Sequence, residues 1–117
     1  MRRGDVWEID LMPVPGSEAD QRRPAVIVSN DARNRTAQRS GRGVRTVVPL
    51  TSNTARVLPF QVLIAADDGN GLGVDSKAQA EQVRSVDLAR FGRRLGALSA
   101  EQVAALDDAL LLHLALG

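Results

Sequence analysis

Two short runs of mainly β-branched residues constrain the fold of this chain most strongly. The run Ala25-Val26-Ile27-Val28 is continuously apolar and stops at Ser29-Asn30-Asp31, and the run from Val44 to Leu50 is largely apolar as well. Runs of this kind are typical of strands that are buried on both faces of a sheet. Since 117 residues are enough for a single core, we expect a mainly β protein with one domain, residues 1–117.

The flanking segments predict further strands. Between residues 5 and 11, apolar and polar side chains alternate with the period of a half-buried strand, and residues 59–66 form another strand candidate. The polar, Arg-rich residues 31–43, which contain two glycines at their end, separate the second and third strands. We expect this stretch to be an exposed loop.

A helix closes the chain. Ser99 is a good N-cap, Gln102 completes a capping box, and an apolar stripe follows, which predicts a helix over residues 100–116. Its last two turns are apolar nearly all round, more than packing on one sheet requires. We therefore expect the end of this helix to be buried against a second copy of the chain, as a homodimer.

The segment between residues 76 and 86 fits two structures. Ala78, Gln79 and Glu81 favour a helix, whereas Val83 and Val86 alternate with polar residues as in a strand. Local sequence does not decide between them.

Composition excludes some function classes. The chain has no cysteine, which rules out disulfides, thiolate metal ligands and a cysteine nucleophile. No apolar run approaches the roughly 20 residues that span a bilayer, and no apolar signal core follows Met1, so we expect a cytoplasmic protein with no membrane segment.

The net charge of +1 hides an uneven distribution. Between Ala32 and Ala66 there is no acidic residue, but there are several arginines, namely Arg33, Arg35, Arg39, Arg42, Arg45 and Arg56. A GC-rich genome explains Arg in place of Lys, but it does not explain the missing acids. The segment is a candidate surface for a polyanion such as a nucleic acid.

The ends of the two buried runs carry side chains that suit phosphate. Arg23 precedes Pro24, which restricts the backbone there, and a guanidinium can hold two phosphate oxygens with its planar fork. Thr51 and Ser52 follow Pro49 and offer hydroxyl donors. If the two strands lie side by side, these groups meet. Taken alone, Arg23 is more readily explained as a solvent-facing arginine at a strand end, and Thr51 and Ser52 as ordinary turn hydroxyls.

Other candidate groups point away from metal or two-histidine chemistry. His113 is the only histidine, and it lies near the end of the last helix. The pairs Asp67-Asp68 and Asp107-Asp108 show no ligand spacing that links them, so we expect no catalytic metal and no cofactor. The three aromatic residues are too few for a base-stacking platform and are expected in the core.

A set of ordered segments closely resembles the MazF/PemK family of toxins from type II toxin–antitoxin systems. The match covers residues 3–114 and comprises Arg3-Gly4-Asp5-Val6-Trp7, Gly16-Ser17-Glu18, the stretch from Arg23 to Asp31, Pro49-Leu50-Thr51-Ser52, Asp75-Ser76, the stretch from Glu81 to Asp87, and Gly96-Ala97-Leu98-Ser99. Each segment is short, but the order and spacing are specific.

The resemblance implies an SH3-like antiparallel β barrel of the CcdB/MazF type with a C-terminal α-helix, and it implies a strand at residues 77–86. It further implies a homodimeric, ribosome-independent endoribonuclease, or mRNA interferase, that cuts single-stranded RNA at short sequences. Such a toxin acts in stress responses and is held inactive by a MazE-like antitoxin.

The family's functional positions can be carried onto this sequence. Arg23 and Thr51 match the catalytic pair, and the expected RNA-binding residues are Ser17, Glu18, Arg22, Ser52 and Gln82. The implied reaction is attack of a 2′-OH on the neighbouring phosphate, which leaves a 2′,3′-cyclic phosphate and a 5′-OH and needs no metal.

Two positions depart from the family pattern. Gln21 stands where members often have glycine, and Arg22 adds a second cation beside Arg23, so Arg22 is a competitor for the phosphate role. Two other functions fit the same fold: a CcdB-like toxin that poisons gyrase without cutting RNA, and a non-catalytic SH3-like RNA-binding module.

Overall fold

The computed structural model describes residues 1–11 and 22–116. Within these residues the strands are β1 (Asp5–Asp10), β2 (Arg22–Ile27), β3 (Val44–Thr51), β4 (Gln61–Ile64), β5 (Ser76–Gln79), β6 (Arg84–Asp87) and β7 (Phe91–Ala97). The helices are α1 (Asp31–Ser40) and α2 (Ala100–Leu114), with short 3₁₀ turns at Ala80–Gln82 and Leu88–Arg90. The predicted strands at both buried runs, at residues 5–11 and within 59–66 are therefore confirmed.

The described strands form one antiparallel sheet in the order β4-β5-β3-β2-β1-β7. The strand β3 pairs with β2 along one edge, while its other edge is divided between two partners. Its first half pairs with β6, from Val44 opposite Asp87 to Val47 opposite Arg84, and its end pairs with β5, with Thr51 opposite Lys77. The 3₁₀ turn Ala80–Gln82 lies between these two partners.

Each face of the sheet contributes to a separate apolar cluster. The cluster beneath α2 contains Val6, Val26, Val48, Leu50, Ile64 and Leu106. The cluster on the other face contains Ile9, Leu11, Ala25, Ile27, Val47 and Val86, with Trp7 and Phe91 packed edge to face against each other at its margin. Alternate residues of β1, β2 and β3 thus enter different clusters, which explains why the runs in β2 and β3 are apolar on both faces.

The predicted loop over residues 31–43 is wrong for most of its length, because α1 occupies Asp31–Ser40. Its anchor is Asn34, which is fully buried: Asn34 Nδ2 donates to the Ser29 carbonyl at 3.0 Å, and Ser29 Oγ donates to Asn34 Oδ1 at 2.6 Å. The Asp31 carboxylate also accepts from the N–H of Arg3 at 2.8 Å. Polar contacts hold this helix in place, so it lacks the apolar stripe that marks helices in sequence.

The predicted strand over residues 77–86 is confirmed only in part. The structure has two strands there, β5 and β6, separated by the 3₁₀ turn Ala80–Gln82. The turn is required because β5 and β6 pair with β3 in registers that differ by three residues. The strand β7 was not expected from local sequence, because its Gly- and Arg-rich sequence has low strand propensity.

The C-terminal helix begins as predicted. Ser99 Oγ accepts from the N–H of Gln102 at 3.1 Å, and Gln102 Oε1 accepts from the N–H of Ser99 at 2.9 Å, a reciprocal capping box. The helix ends at Leu114, two residues earlier than expected, and Ala115 adopts a left-handed conformation with φ 57°. Within the described chain, no helix combines the length and the apolarity that a membrane crossing requires.

Candidate active site

Adjacent central strands bring Arg23 and Thr51 together. In the β2–β3 pair, Ala25 lies opposite Pro49, and continuing the same register by two residues places Arg23 opposite Thr51. Both residues stand at strand ends, where the pairing stops and side chains become accessible. Arg23 and Thr51 therefore lie at the same end of two adjacent strands.

Two grooves meet at this pair. The larger groove has a volume of about 600 Å³ and the smaller one about 290 Å³, and both are lined by Arg23, Leu50 and Thr51. In β1, β2 and β3, even and odd positions enter opposite apolar clusters. Apart from the three shared residues, the larger groove takes even positions from this part of the sheet and the smaller groove takes odd ones, so the two grooves lie on opposite faces of the sheet at its end. Arg23 and Thr51 stand at the boundary between the two grooves.

Local hydrogen bonds orient both side chains. Arg23 is exposed, and its Nη1 donates to the Arg22 carbonyl at 3.2 Å, which folds the guanidinium back along its own strand. The oxygen of the Thr51 hydroxyl accepts from the N–H of Asn53 at 3.2 Å. This bond uses a lone pair of Thr51 Oγ1 and leaves the hydroxyl proton for another acceptor. The turn role of Thr51 and a donor role toward phosphate are therefore compatible.

The smaller groove carries the predicted residue Gln82. Its lining also includes Gln79 and Arg84, which flank the same 3₁₀ turn. The turn is tied to β4 because Gln61 Nε2 donates to both carboxylate oxygens of Glu81. The amides of Gln79 and Gln82 can each donate and accept, so this side of the site suits the edges of unpaired bases.

The larger groove carries Arg22 and Ser52, which were both predicted as binding residues. It also contains Glu8 and Arg93, whose side chains form an ion pair in which Arg93 Nε lies 3.3 Å from Glu8 Oε2. Because Arg22 lies opposite Asp10 and Arg23 opposite Ile9, successive residues of β2 point to different sides of the sheet. Both arginines line the larger groove, but only Arg23 also lines the smaller one.

The outer wall of the larger groove is the loop at residues 67–76. Asn70 is fully buried there, and its side chain accepts from the N–H groups of Asp67 and Leu72 and donates to the Ala65 carbonyl. Gly71 has φ +70°, and a Cβ at this position would overlap the carbonyl oxygen of Leu95. The loop is thus fixed closely against β7, and it presents residues 71–74 to the groove.

Three further predictions concern Ser17, Glu18 and Arg45. Ser17 and Glu18 fall outside the described residues. Arg45, one of the arginines proposed for a polyanion surface, is fully buried in β3, so this part of the expectation is wrong. Arg45 is buried because side chains alternate along β3, so that Arg45 points to the same side as the core residue Val47. Arg35, Arg39, Arg42 and Arg56 are exposed.

The histidine and the aspartate pairs that the sequence analysis considered lie outside the two grooves. His113 is exposed on α2, with its ring 6.0 Å from that of Phe60. The Asp67 carboxylate accepts from the N–H of Asn70 at 2.7 Å and so stabilises the loop. In the described parts of the chain, no three His, Asp or Glu side chains converge on one point.

Sequence reasoning missed Glu8, Arg84 and Arg93 as lining residues. Glu8 is one of the polar residues in the alternating segment 5–11, and no sequence signal distinguishes it from other strand carboxylates. Arg93 reaches the site through a β-bulge: Trp7 lies opposite Arg94 and Ile9 opposite Phe91, so β7 has one extra residue where it passes Glu8. Such a bulge is not readable from composition.

The charge of the site suits a polyanion. The described lining residues of the two grooves include the arginines Arg22, Arg23, Arg84 and Arg93 against a single acid, Glu8. A guanidinium and a hydroxyl donor at one point can stabilise charge that develops on a phosphoryl group. The grooves on either side offer room for the neighbouring nucleotides.

Comparison with known proteins gives a consistent result. The family model described as PemK-like, MazF-like toxin of type II toxin–antitoxin system matches residues 2–114. The chain is 60% identical over 114 residues to the endoribonuclease MazF9 of Mycobacterium tuberculosis, covering 97% of this chain and 96% of that protein. It is also 53% identical over 68 residues to the probable endoribonuclease MazF1 of the same organism, covering 58% of this chain and 72% of that protein.

Solved structures agree with the sequence comparison. An endoribonuclease from a mycobacterial species, in complex with its cognate antitoxin, superimposes with a TM-score of 0.78 at 26% identity, covering 100% of this chain and 97% of that one. MazF from Deinococcus radiodurans superimposes with a TM-score of 0.76 at 28% identity, covering 98% and 96%. The expected mainly β, SH3-like barrel with a C-terminal helix is therefore confirmed.

Proposed function

Because the chain belongs to the family of PemK-like, MazF-like toxins of type II toxin–antitoxin systems, we propose that it is a toxin endoribonuclease that cuts single-stranded RNA where its two grooves meet. The observation that carries this proposal is the position of Arg23 and Thr51, which line both grooves. An RNA strand that occupies both grooves would place one of its phosphates next to this pair.

The reaction proposed is transesterification within the RNA. The 2′ oxygen of one nucleotide attacks the adjacent phosphorus and loses its proton, while the bond from phosphorus to the 5′ oxygen breaks and that oxygen gains a proton. The products are a 2′,3′-cyclic phosphate and a 5′-OH. No metal takes part in this scheme.

Arg23 and Thr51 have distinct catalytic roles. The Arg23 guanidinium stabilises the negative charge that accumulates on the phosphoryl oxygens in the transition state. The Thr51 hydroxyl donates to a phosphoryl oxygen and fixes the phosphate for in-line attack. Its oxygen stays anchored by the Asn53 N–H at 3.2 Å, which limits rotation of the side chain.

The other groove residues bind and position the RNA. Arg22 and Ser52 contact the backbone in the larger groove, and Gln82 contacts a base in the smaller one. Ser17 and Glu18, which precede β2 in the chain, are further RNA-binding residues in this proposal. The recognised bases are unpaired, because only unpaired RNA exposes these edges.

The toxin has two protein partners in this proposal. One is a MazE-like antitoxin whose acidic segment covers the grooves, in keeping with the antitoxin complex of the mycobacterial relative. The other is a second copy of the chain, which covers the exposed end of α2, where Leu112 is 56% and Leu116 is 70% exposed. The homodimer acts in the cytoplasm during stress responses.

The proposal is tested by incubating the purified protein, free of antitoxin, with a mixed-sequence RNA in EDTA and mapping the new ends. We expect cuts with 5′-OH and 2′,3′-cyclic phosphate ends that disappear in both Arg23→Ala and Thr51→Ala. The matched control is Arg42→Ala, an exposed arginine outside both grooves. Intact RNA with the folded wild type, or full activity in Arg23→Ala, would contradict the proposal.

A further inference from the structure

The larger groove extends well beyond the catalytic pair. From Arg23 it continues past Arg22 to a wall formed by Leu72, Val74 and Leu95, and its volume of about 600 Å³ lies within the range of small-ligand sites. The wall is apolar, and Val74 is 59% exposed. A flat aromatic base can pack on such a surface. The groove thus has both the size and the lining that a complete nucleotide requires.

Among the described residues that line this groove, one side chain is acidic. Glu8 is in β1 opposite Pro24, and its side chain is only 28% exposed. The bulge in β7 directs Arg93 toward it, with Arg93 Nε–Glu8 Oε2 at 3.3 Å and Arg93 Nη2–Glu8 Oε1 at 3.4 Å. Both contacts are long for a charge-assisted bond, and the Arg93 side chain is 76% exposed. The pair is therefore weakly held.

We propose that the larger groove is a guanine-selective nucleotide subsite, in which Glu8 reads the base and Arg93 transfers from Glu8 to an RNA phosphate. This inference deepens the proposed nuclease function and rests on it. It makes Glu8 a specificity-determining residue and Arg93 a phosphate-binding residue.

The chemistry of a carboxylate selects guanine. An ionised carboxylate only accepts hydrogen bonds, and its two oxygens match two adjacent donors. Guanine offers such a pair, N1–H and N2–H, on its Watson–Crick edge. Cytosine and adenine place an acceptor nitrogen beside their amino group, and uracil flanks its single N–H with two carbonyls, so each presents a repulsive atom to Glu8. Discrimination by hydrogen-bond geometry of this kind is typical of unpaired RNA.

When RNA binds, Arg93 exchanges the Glu8 carboxylate for a phosphate and so keeps a negatively charged partner. When the guanine edge occupies the Glu8 oxygens, Arg93 loses a partner, but the phosphate of the same nucleotide supplies another with matching fork geometry. Exposed ion pairs contribute little stability, so opening this one costs little. The apolar wall at Leu72 and Val74 then packs against the base.

Binding without cleavage isolates this subsite. A randomised RNA heptamer with 2′-fluoro groups throughout has no 2′-OH to attack, so its retention on immobilised protein followed by sequencing reports base preference alone. The variants are Glu8→Gln and Arg93→Ala. Their matched controls are Glu101→Gln, the same chemical change at an exposed site on α2, and Arg94→Ala, the neighbouring arginine that pairs with Asp5 instead.

We expect wild-type protein to enrich guanine about tenfold at one fixed position of the retained heptamers, because one bidentate base contact gives discrimination of this order. Glu8→Gln removes that enrichment, and Glu101→Gln retains it. Arg93→Ala weakens binding about three- to tenfold and lowers the slope of log affinity against log salt by roughly one unit, while Arg94→Ala leaves both unchanged.

The outcomes separate the subsite from the nuclease. No guanine preference in the wild type, an unchanged preference in Glu8→Gln, or equal behaviour of Arg93→Ala and Arg94→Ala overturns the subsite. Guanine-selective binding by a protein that leaves ordinary RNA intact supports the subsite and contradicts the nuclease. Thermal melting of every variant confirms that each is folded, since all four positions are on the surface or partly exposed.

Discussion

Gln61 donates hydrogen bonds from its side-chain nitrogen to both carboxylate oxygens of Glu81, at 3.1 and 2.8 Å. The side chain of Gln61 is buried, and its oxygen accepts from the N–H of Leu58 at 2.9 Å. Glu81 lies in the 3₁₀ turn Ala80–Gln82, so this contact joins β4 to the turn that places Gln82 in the smaller groove. Its role is to position the turn.

We therefore expect Glu81→Ala to affect binding more than the chemical step. Loss of the contact leaves the Gln61 amide without its acceptor and frees the turn, which lowers the free energy of unfolding by about 1–3 kcal/mol. We expect KM for a short RNA substrate to rise about three- to tenfold while kcat stays nearly constant, because the lost contact helps to bind the substrate and the transition state equally. Steady-state cleavage and chemical denaturation measure the two effects. Glu81→Gln, which keeps one acceptor, should recover part of both, and a fall in kcat alone would contradict the positioning role.

The two neighbouring arginines should separate in kinetics. Arg23 lies at the junction of the grooves, whereas Arg22 lies only in the larger one. Arg23→Ala is expected to lower kcat about a hundredfold or more, because it removes a donor to the transition state. Arg22→Ala is expected to raise KM severalfold with a small change in kcat, because it removes a contact made equally before and during reaction. Single-turnover cleavage distinguishes the two. A larger loss of kcat in Arg22→Ala would exchange their assignments.

The wall of the larger groove depends on Gly71. Alanine at this position combines a left-handed backbone with an overlap against the Leu95 carbonyl, so Gly71→Ala should destabilise the protein by about 2–4 kcal/mol. Gly41 provides the matched control, because it has the same φ of +70° but nothing within 4 Å of an added Cβ. Gly41→Ala should cost only about 1–2 kcal/mol, the backbone strain alone. Urea denaturation of both variants checks the difference, and equal losses would show that the contact with β7 contributes nothing.

Arg3, near the start of the chain, contacts three other parts of the fold. Its Nη2 contacts Asp107 Oδ1 of α2 at 2.7 Å, its Nε donates to the Val28 carbonyl at 3.0 Å, and its N–H donates to Asp31 of α1. The Arg3 and Asp107 side chains are 32% and 43% exposed, so the ion pair is partly screened by water.

Arg3→Ala should therefore lower the free energy of unfolding by about 1–2 kcal/mol, mostly through the lost bond to the Val28 carbonyl. Asp107→Ala removes only the ion pair and should cost about 0.5 kcal/mol. The two losses are compared by denaturation at low and high salt, with the Asp107 effect disappearing at high salt. If Asp107→Ala proves as costly as Arg3→Ala, the ion pair dominates and the interpretation is wrong.

The sequence predicted those elements whose pattern comes from apolar burial or from capping. The strands β1, β2 and β3 follow from alternating or continuous apolar runs, and α2 follows from its capping box and stripe. The helix α1 was missed because its position depends on the buried polar pair Ser29 and Asn34 rather than on an apolar face. The strand β7 was missed because pairing with β1, and not its own composition, holds its glycines and arginines extended.

The site residues likewise divide into those that the sequence pattern predicts and those that depend on tertiary pairing. The positions of Arg23 and Thr51 follow from the ends of two adjacent strands, which the sequence marks clearly. Glu8 and Arg93 come together only through the bulge in β7, and Arg45 is buried only because β3 has a particular register. Bulges and registers arise from tertiary pairing, so no local pattern reveals them.

If RNA is cut where the two grooves meet, as proposed, the shared position of Arg23 and Thr51 also limits the shape of the substrate. The grooves open toward opposite sides of the sheet, so an RNA strand that fills both must change direction sharply at the phosphate between them. Such a bend unstacks the two flanking nucleotides and allows the 2′ oxygen to line up behind the departing 5′ oxygen, an alignment that A-form geometry does not provide. A rigid duplex cannot follow this path, so secondary structure in a transcript would shield it from the enzyme as effectively as the absence of a recognised sequence.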